Sequence, residues 1–151
     1  GVTVNASGGD PYLCEGYRLP TEAEGEYAAR GGEAFPYAGS SDLDAGGWFS
    51  DNNGASSTST YGTKAVCTKA PNGFGLCDMS GNLWEWTWDW YDTYPAGSVT
   101  DPIGPASGSF RVVRGGSWFS SARYVRVAPR SSYAPGYRFS GRGFRLVRSV
   151  P

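Results

Sequence analysis

The stretch GNLWEWTWDWYD at residues 81–92 constrains the fold more than any other part of the chain. Trp84, Trp86, Trp88 and Trp90 alternate with Glu85, Thr87 and Asp89, a period of two that suits a β-strand and no helix. Large rings supply much of the apolar area that a small domain hides from water, so the four indoles are expected to face the core. SFRVVRGGSW and GFRLVR alternate in the same way, Phe110 and Val112 against Arg111 and Val113, Phe144 and Leu146 against Arg145 and Val147. Both read as strands, Gly143 to Val147 closing the fold, and Val2 to Val4 reads as a short first strand.

One helix is legible. In RLPTEAEGEYAARGG, Thr21 and Glu24 form a capping box and Gly31-Gly32 supplies the stop, which predicts a helix from Glu22 to Arg30. Ala23, Tyr27 and Ala28 share the face expected to be buried, and Glu22 and Glu26 are expected to face water beside the positive N-terminal end. Gly25 costs about 1 kcal/mol relative to Ala at such a position. Residues 33–74, rich in Gly, Ser, Asn and Asp with scattered aromatics, are too long for a structureless loop and read as irregular chain pinned by rings, with a bound cation as a further means of holding it.

A chain of 151 residues has the length of one domain and enough core to fold without staples. It has 23 Gly, 10 Pro and no His, so turns dominate and the commonest general base and metal ligand is missing. No apolar run approaches the ~20 residues of a membrane span. Three Cys allow at most one disulfide, with Cys67 and Cys77 nearest in sequence, and free thiols stay open. All 14 acids and 4 of the basic residues lie in residues 1–101, whereas residues 102–151 hold 9 Arg and no acid. Such asymmetry can mark a nucleic-acid surface, but these Arg are spread out rather than clustered, which favours internal pairing with the acids upstream.

Four segments in order, RLPTEAEGEYAARGG, PNGFGLCDMSGNLWEWTWDWY, RVVRGGSW and GFRLVR, resemble the formylglycine-generating-enzyme/sulfatase-modifying-factor family from about Gly16 to Arg148. The resemblance implies an α+β class: a compact C-type lectin fold of the formylglycine-generating-enzyme type, with little regular secondary structure, as one domain over residues 1–151. The chain departs from the family in having little sequence before the helix, in Gly25 where Trp is usual and in Cys77 where Tyr is usual. The enzymes of the family use two cysteines five residues apart after GGS; counting forward from Gly115-Gly116-Ser117 puts Ser120 and Val125 there, and no cysteine follows Cys77. Neither residue offers a thiolate, so the resemblance implies no enzyme activity and no cofactor. Family members often hold structural calcium, for which Asn82 and Glu85 are the conceivable ligands here, with a turn Asn and an Arg-paired Glu as the alternative.

A second resemblance, to the variable proteins of diversity-generating retroelements within that family, rests on the variable region at about 117–143. Their templates place Asn codons between fixed residues, and laid on RGGSWFSSARYVRVAPRSSYAPGYRFSGRGFR those slots fall at Phe119, Ser120, Ser121, Tyr124, Pro129, Ser131, Ser132, Tyr133, Ala134, Tyr137, Phe139, Ser140, Gly141 and Arg142. Randomised AAC or AAT codons cannot encode Trp, Met, Lys, Gln or Glu, and none of the fourteen is one of these. The implied function is a non-catalytic, hypervariable scaffold that recognises a protein or a cell- or virus-surface ligand, with Phe119, Tyr124, Tyr133, Tyr137 and Phe139 as anchors and Arg142 as a charged contact. Arg123, Arg126, Arg130 and Arg138 are expected to be held by scaffold carboxylates or carbonyls. A formylglycine-generating oxidoreductase and an Arg-mediated nucleic-acid binder are the competing readings. The compartment stays open, with surface display, secretion or association with a virion as settings that would suit such a protein.

Overall fold

A computed structural model describes residues 9–149, so the expected strand at Val2 to Val4 lies outside the described residues. The elements run β1 (Tyr17–Arg18), α1 (Glu22–Arg30), α2 (Leu43–Gly46), β2 (Trp84–Trp90), β3 (Arg111–Arg114), β4 (Arg130–Tyr133), β5 (Arg142–Phe144) and β6 (Val147–Arg148). The main sheet has the order β4-β3-β2-β5, antiparallel except for the parallel pair β2 and β5. β1 and β6 pair antiparallel, Arg18 opposite Val147, and tie the start of the domain to its end. The expected closing strand is thus split in two: β5 completes the sheet, β6 closes the fold, and Phe144 and Leu146 stay exposed.

α1 has the bounds its caps predict. Thr21 accepts from Glu24 N at 3.2 Å, Glu24 Oε2 accepts from Thr21 N at 2.8 Å, and Gly31 ends the helix in the left-handed region at φ 59°. Its buried face is not the expected one. Ala23 and Tyr27 are exposed, whereas Glu22 is buried and Glu26 turns inward. The cause is electrostatic: Arg114 and Arg130 lie beneath the helix, and two carboxylates neutralise them where an apolar face would leave them unpaired. Gly25 sits over Thr87, whose Cγ2 would lie 3.9 Å from an added Cβ; this is ordinary contact that leaves room for Ala and little more.

The Trp strand forms, but its indoles do not make the core. Trp84 is 5% exposed, Trp86, Trp88 and Trp90 are only half-buried, and the polar side chains between them are hidden, Thr87 at 2% and Asp89 at 5%. α1 packs on the polar side, where Asp89 Oδ2 accepts from Glu22 N at 2.5 Å and Thr87 lies against Gly25 with its own Oγ1 satisfied by Val112 O of β3 at 3.2 Å. A register shift against β3 between Trp86 and Trp90 accompanies the change. Beyond Trp84, the core is built mostly from smaller apolar side chains. Val112 and Val113 are fully buried, Ala29, Ala38, Met79 and Val127 form one cluster, and Leu43, Phe49 and Val125 form another.

Residues 33–74 are irregular apart from α2, a Tyr37–Ser40 bridge and a parallel bridge from Trp48 to Gly81. Cys67 and Cys77 are joined by a disulfide, and Cys14 is free.

Candidate ligand-binding surface

The polypeptide after β3 is aimed by a double-glycine turn. Gly115 and Gly116 adopt φ 90° and 75°, and an added Cβ at Gly116 would meet Val125 Cγ1 at 2.4 Å, so only Gly lets this turn close on Val125. Ser117 and Ser120 then bond each other, Oγ to Oγ at 3.0 Å, and Ser120 O accepts from Ser50 N at 3.0 Å. The chain emerges at Phe119, runs through a 3-10 turn at Ala122–Tyr124 and returns along the sheet as β4.

Five of the fourteen slots come together as one aromatic band. Phe119 meets Phe139 edge-on at 5.3 Å, Phe139 lies 6.5 Å from Tyr137, and Tyr137 stacks on Tyr133 at 5.7 Å with an interplanar angle of 12°. The Arg142 guanidinium lies 3.4 Å from the Tyr133 ring centre, 4.7 Å from Tyr137 and 5.3 Å from Phe139. Each aromatic pair contributes about 0.5–1.5 kcal/mol beyond its buried area, so the rings order one another. They remain open to solvent all the same: Phe139 is 46% and Tyr137 50% exposed.

The other slots divide. Ser121, Ala134 and Ser140 are exposed, and Ser131 and Ser132 are half-buried on β4. Tyr124, 45% exposed, makes no ring contact with the band; it lies beside Arg123 and shares a separate groove with Pro129, Arg126 and Phe35. Ser120 and Gly141 are buried. An added Cβ at Gly141 would meet Phe119 Cε1 at 2.1 Å, so this slot shapes the band from beneath rather than presenting a side chain.

Two members of the band are missing from the sequence reading. Trp118 meets Phe119 at 4.9 Å, and Tyr61, from the irregular region, meets Trp118 at 4.8 Å, so the row of rings extends beyond the variable segment. RGGSW carries Trp118 as framework, and nothing periodic marks Tyr61.

The spaced Arg behave in two ways. Arg130 is held as expected, Nη2 donating to Glu22 Oε2 at 2.7 Å and Nη1 to Asp92 O at 2.7 Å, with its guanidinium over Tyr91 and Tyr94. Arg123, Arg126 and Arg138 are not held. They are exposed and form no ion pair among the described residues. Arg145 chelates Glu85 through contacts of 2.5 and 2.7 Å, and Arg114 donates to the carbonyls of Ala128 and Pro129 at 2.5 and 2.8 Å, fixing the approach to β4.

Asn82 and Glu85 do not fit a calcium ion. Asn82 is spent on the backbone of Lys64, accepting from its N at 3.0 Å and donating to its O at 3.2 Å, while Glu85 is spent on Arg145. The Lys64 ammonium itself fills an oxygen-lined position, bonded to Asn53 Oδ1 and to Thr60 O and Gly62 O at 2.7 and 2.8 Å. No group of three His, Cys, Asp or Glu side chains able to hold a metal occurs among the described residues.

Apart from the band, a cleft of about 760 Å³ lies between α1 and residues 89–105, lined by Glu22, Asp89, Tyr94, Asp101, Ile103 and Arg130 among others. Burial, followed by the nearby Glu22 charge, pushes the Asp89 carboxyl up to about 6. Burial and its 2.8 Å bond to Glu22 push the Tyr94 phenol up to about 12. None of the fourteen slots lines this cleft.

Comparison with known proteins agrees with the geometry. The formylglycine-generating enzyme of Streptomyces coelicolor is 44% identical over 149 residues, covering 89% of this chain and 48% of that protein. The serine/threonine-protein kinase pkn1 of Chlamydia pneumoniae is 39% identical over 158 residues, covering 99% of this chain and 24% of that protein. The solved structure of Treponema denticola variable protein 1 superimposes with a TM-score of 0.81 at 41% identity, covering 95% of this chain and 52% of that one. The chain therefore spans about half the length, or less, of these relatives. The described residues have the mixed sheet with few helices of that fold, and the sulfatase-modifying factor enzyme 1-like domain matches residues 4–150. The chain belongs to the sulfatase-modifying factor enzyme 1-like domain family.

Proposed function

We propose that the domain is a non-catalytic binding scaffold of a diversity-generating retroelement, whose variable segment displays the aromatic band and its flanks to a protein or surface ligand. The observation that carries this reading is the band itself. Phe119, Tyr133, Tyr137 and Phe139 come from separate parts of one short segment and meet ring to ring, with Phe119, Tyr137 and Phe139 exposed and Tyr133 half-buried. Such a surface offers large contact area at low ordering cost, the balance seen in antibody paratopes. Similarity to a protein called a variable protein supports the same reading.

The absence of catalysis is part of the proposal. At the positions where the family's enzymes need two thiols, Ser120 is tied to Ser117 and Val125 is fully buried in an apolar cluster with Leu43 and Phe49. Neither side chain can form a thiolate, bind copper through sulfur or make a mixed disulfide.

The encoding DNA tests the reading. A nearby near-copy of the last coding stretch, with adenines at mismatched positions in the fourteen codons, is the expected result. No such copy, together with purines at the third positions of those codons, would overturn it.

A further inference from the structure

We propose that the band recognises an acidic polypeptide segment, with Arg142 as the residue that takes its carboxylate. This rests on the reading of the band as the binding surface and adds the chemical class of its ligand.

The charge accounting of the molecule leads there. Arg18 pairs with Glu24, Arg30 with Glu26, Arg114 with Glu22 and Glu26, Arg130 with Glu22, and Arg145 with Glu85. Arg142 pairs with nothing among the described residues. Its Nε and Nη1 are covered yet have no hydrogen-bond partner, and residues 102–151 contain no acid that could reach it. The rings of Tyr133, Tyr137 and Phe139 satisfy the flat face of the guanidinium, but a ring cannot satisfy its N–H donors. A covered cation with unbonded donors is costly unless an anion arrives. The nearest ring, Tyr133, is half-buried, but the next two, Tyr137 and Phe139, are exposed, so a turn of either of these opens the fork to a carboxylate, which guanidinium binds through two parallel bonds. Arg138, exposed and unpaired between these rings in sequence, adds a second positive charge to the face.

The same features point to polypeptide rather than nucleic acid. Stacked bases need open ring faces, whereas Tyr133 and Tyr137 already stack on each other and Phe119 caps Phe139 edge-on. A phosphate track needs several free cations in a line, whereas Arg114, Arg130 and Arg145 are neutralised by glutamates and the free Arg123 and Arg126 belong to the separate groove beside Tyr124. An acidic segment carrying aromatic residues matches both properties of the band.

The test uses a soluble random Glu–Tyr copolymer as probe, with a Lys–Tyr copolymer and oligo(dT) as comparisons, read by fluorescence anisotropy at moderate salt. The wild-type chain is expected to bind the Glu–Tyr copolymer and not the Lys–Tyr one. Arg142→Gln is expected to weaken binding about tenfold or more, and Arg142→Lys, which keeps the charge but loses the fork, to fall between. Arg138→Gln, at an exposed position that folding does not depend on, is expected to weaken it about threefold. No binding of the acidic copolymer, equal binding by R142Q and R138Q, or tighter binding of oligo(dT) would overturn the inference. Binding of the Lys–Tyr copolymer that is lost in a Tyr133→Ala/Tyr137→Ala double variant would overturn the acidic ligand while leaving the band as the binding surface. If binding of every probe is indifferent to every band variant, both readings fall.

Discussion

At the scale of single residues, Gly141 and Phe119 must be chosen together. An added Cβ at Gly141 would lie 2.1 Å from Phe119 Cε1, so Gly141→Ala either displaces that ring or strains the start of β5. We expect G141A to cost about 1–2 kcal/mol and the cost to vanish in G141A/Phe119→Ser, which a double-mutant cycle by chemical denaturation will show. Block spacing marks both positions in the sequence but does not say that one supports the other, because that depends on how the chain folds back after Pro135-Gly136. Asp89 gives a second prediction. Its carboxyl is raised to about 6 by burial, above its ordinary value of 3.8, so between those values the folded state holds a proton that the unfolded state has released. Stability from this group is therefore fully present below about pH 4 and is lost as pH rises through about 6, by about 1.4 kcal/mol per pH unit. Asp89→Asn keeps an acceptor for Glu22 N, and its thermal midpoint is expected to vary less between pH 4 and 6 than that of the wild type.

At the scale of elements, α1 is a clamp for the C-terminal framework more than an amphipathic helix on a core. Glu22 reaches Arg114 and Arg130 and accepts from Tyr94, so one buried carboxylate ties the helix to β3, to β4 and to the loop after β2. Removing one partner of a buried pair typically costs about 3–5 kcal/mol, and Glu22→Ala is expected to do so by urea denaturation. Exposed Tyr27 lies 5.5 Å from Phe74 at the rim, and Tyr27→Ala is expected to cost much less. The caps make the bounds of α1 legible in the sequence because a cap is a local signal. Its buried face is not legible, because that face answers to arginines about ninety to a hundred residues away. The Trp strand is the same lesson in β form: alternation shows that the indoles share a face, but the helix covers the other one, where Asp89 bonds Glu22 N. In the loop before β2 we propose that the Lys64 ammonium, bonded among backbone and Asn53 oxygens, takes the place of a cation. Chelation with EDTA is expected to leave the thermal midpoint unchanged, and a clear fall would contradict that role for Lys64.

At the scale of the whole molecule, a paired framework carries an unpaired face. The ion pairs of Arg114, Arg130 and Arg145 join the acid-rich first part of the chain to its basic end. Of the nine Arg in residues 102–151, three, Arg114, Arg130 and Arg145, are ion-paired among the described residues, so the lopsided charge visible in the sequence is neutralised internally only in part, with Arg123, Arg126, Arg138 and Arg142 left over around the variable segment. The ordered motifs make the family legible because they build the parts that every member must keep. The composition of the band beyond residues 117–143 is not legible, because Tyr61 joins it only through the fold of an aperiodic region. The central claim, that this face varies without disturbing the framework, is tested most directly by randomising the fourteen codons as a retroelement would, displaying the library, and scoring folded fraction by protease resistance alongside selection for a bait. The account predicts that most members stay folded, that Ser120 and Gly141 retain small residues, and that selected binders differ at Phe119, Tyr133, Tyr137, Phe139 and Arg142. A library that is mostly unfolded, or binders indifferent to those five positions, would contradict it.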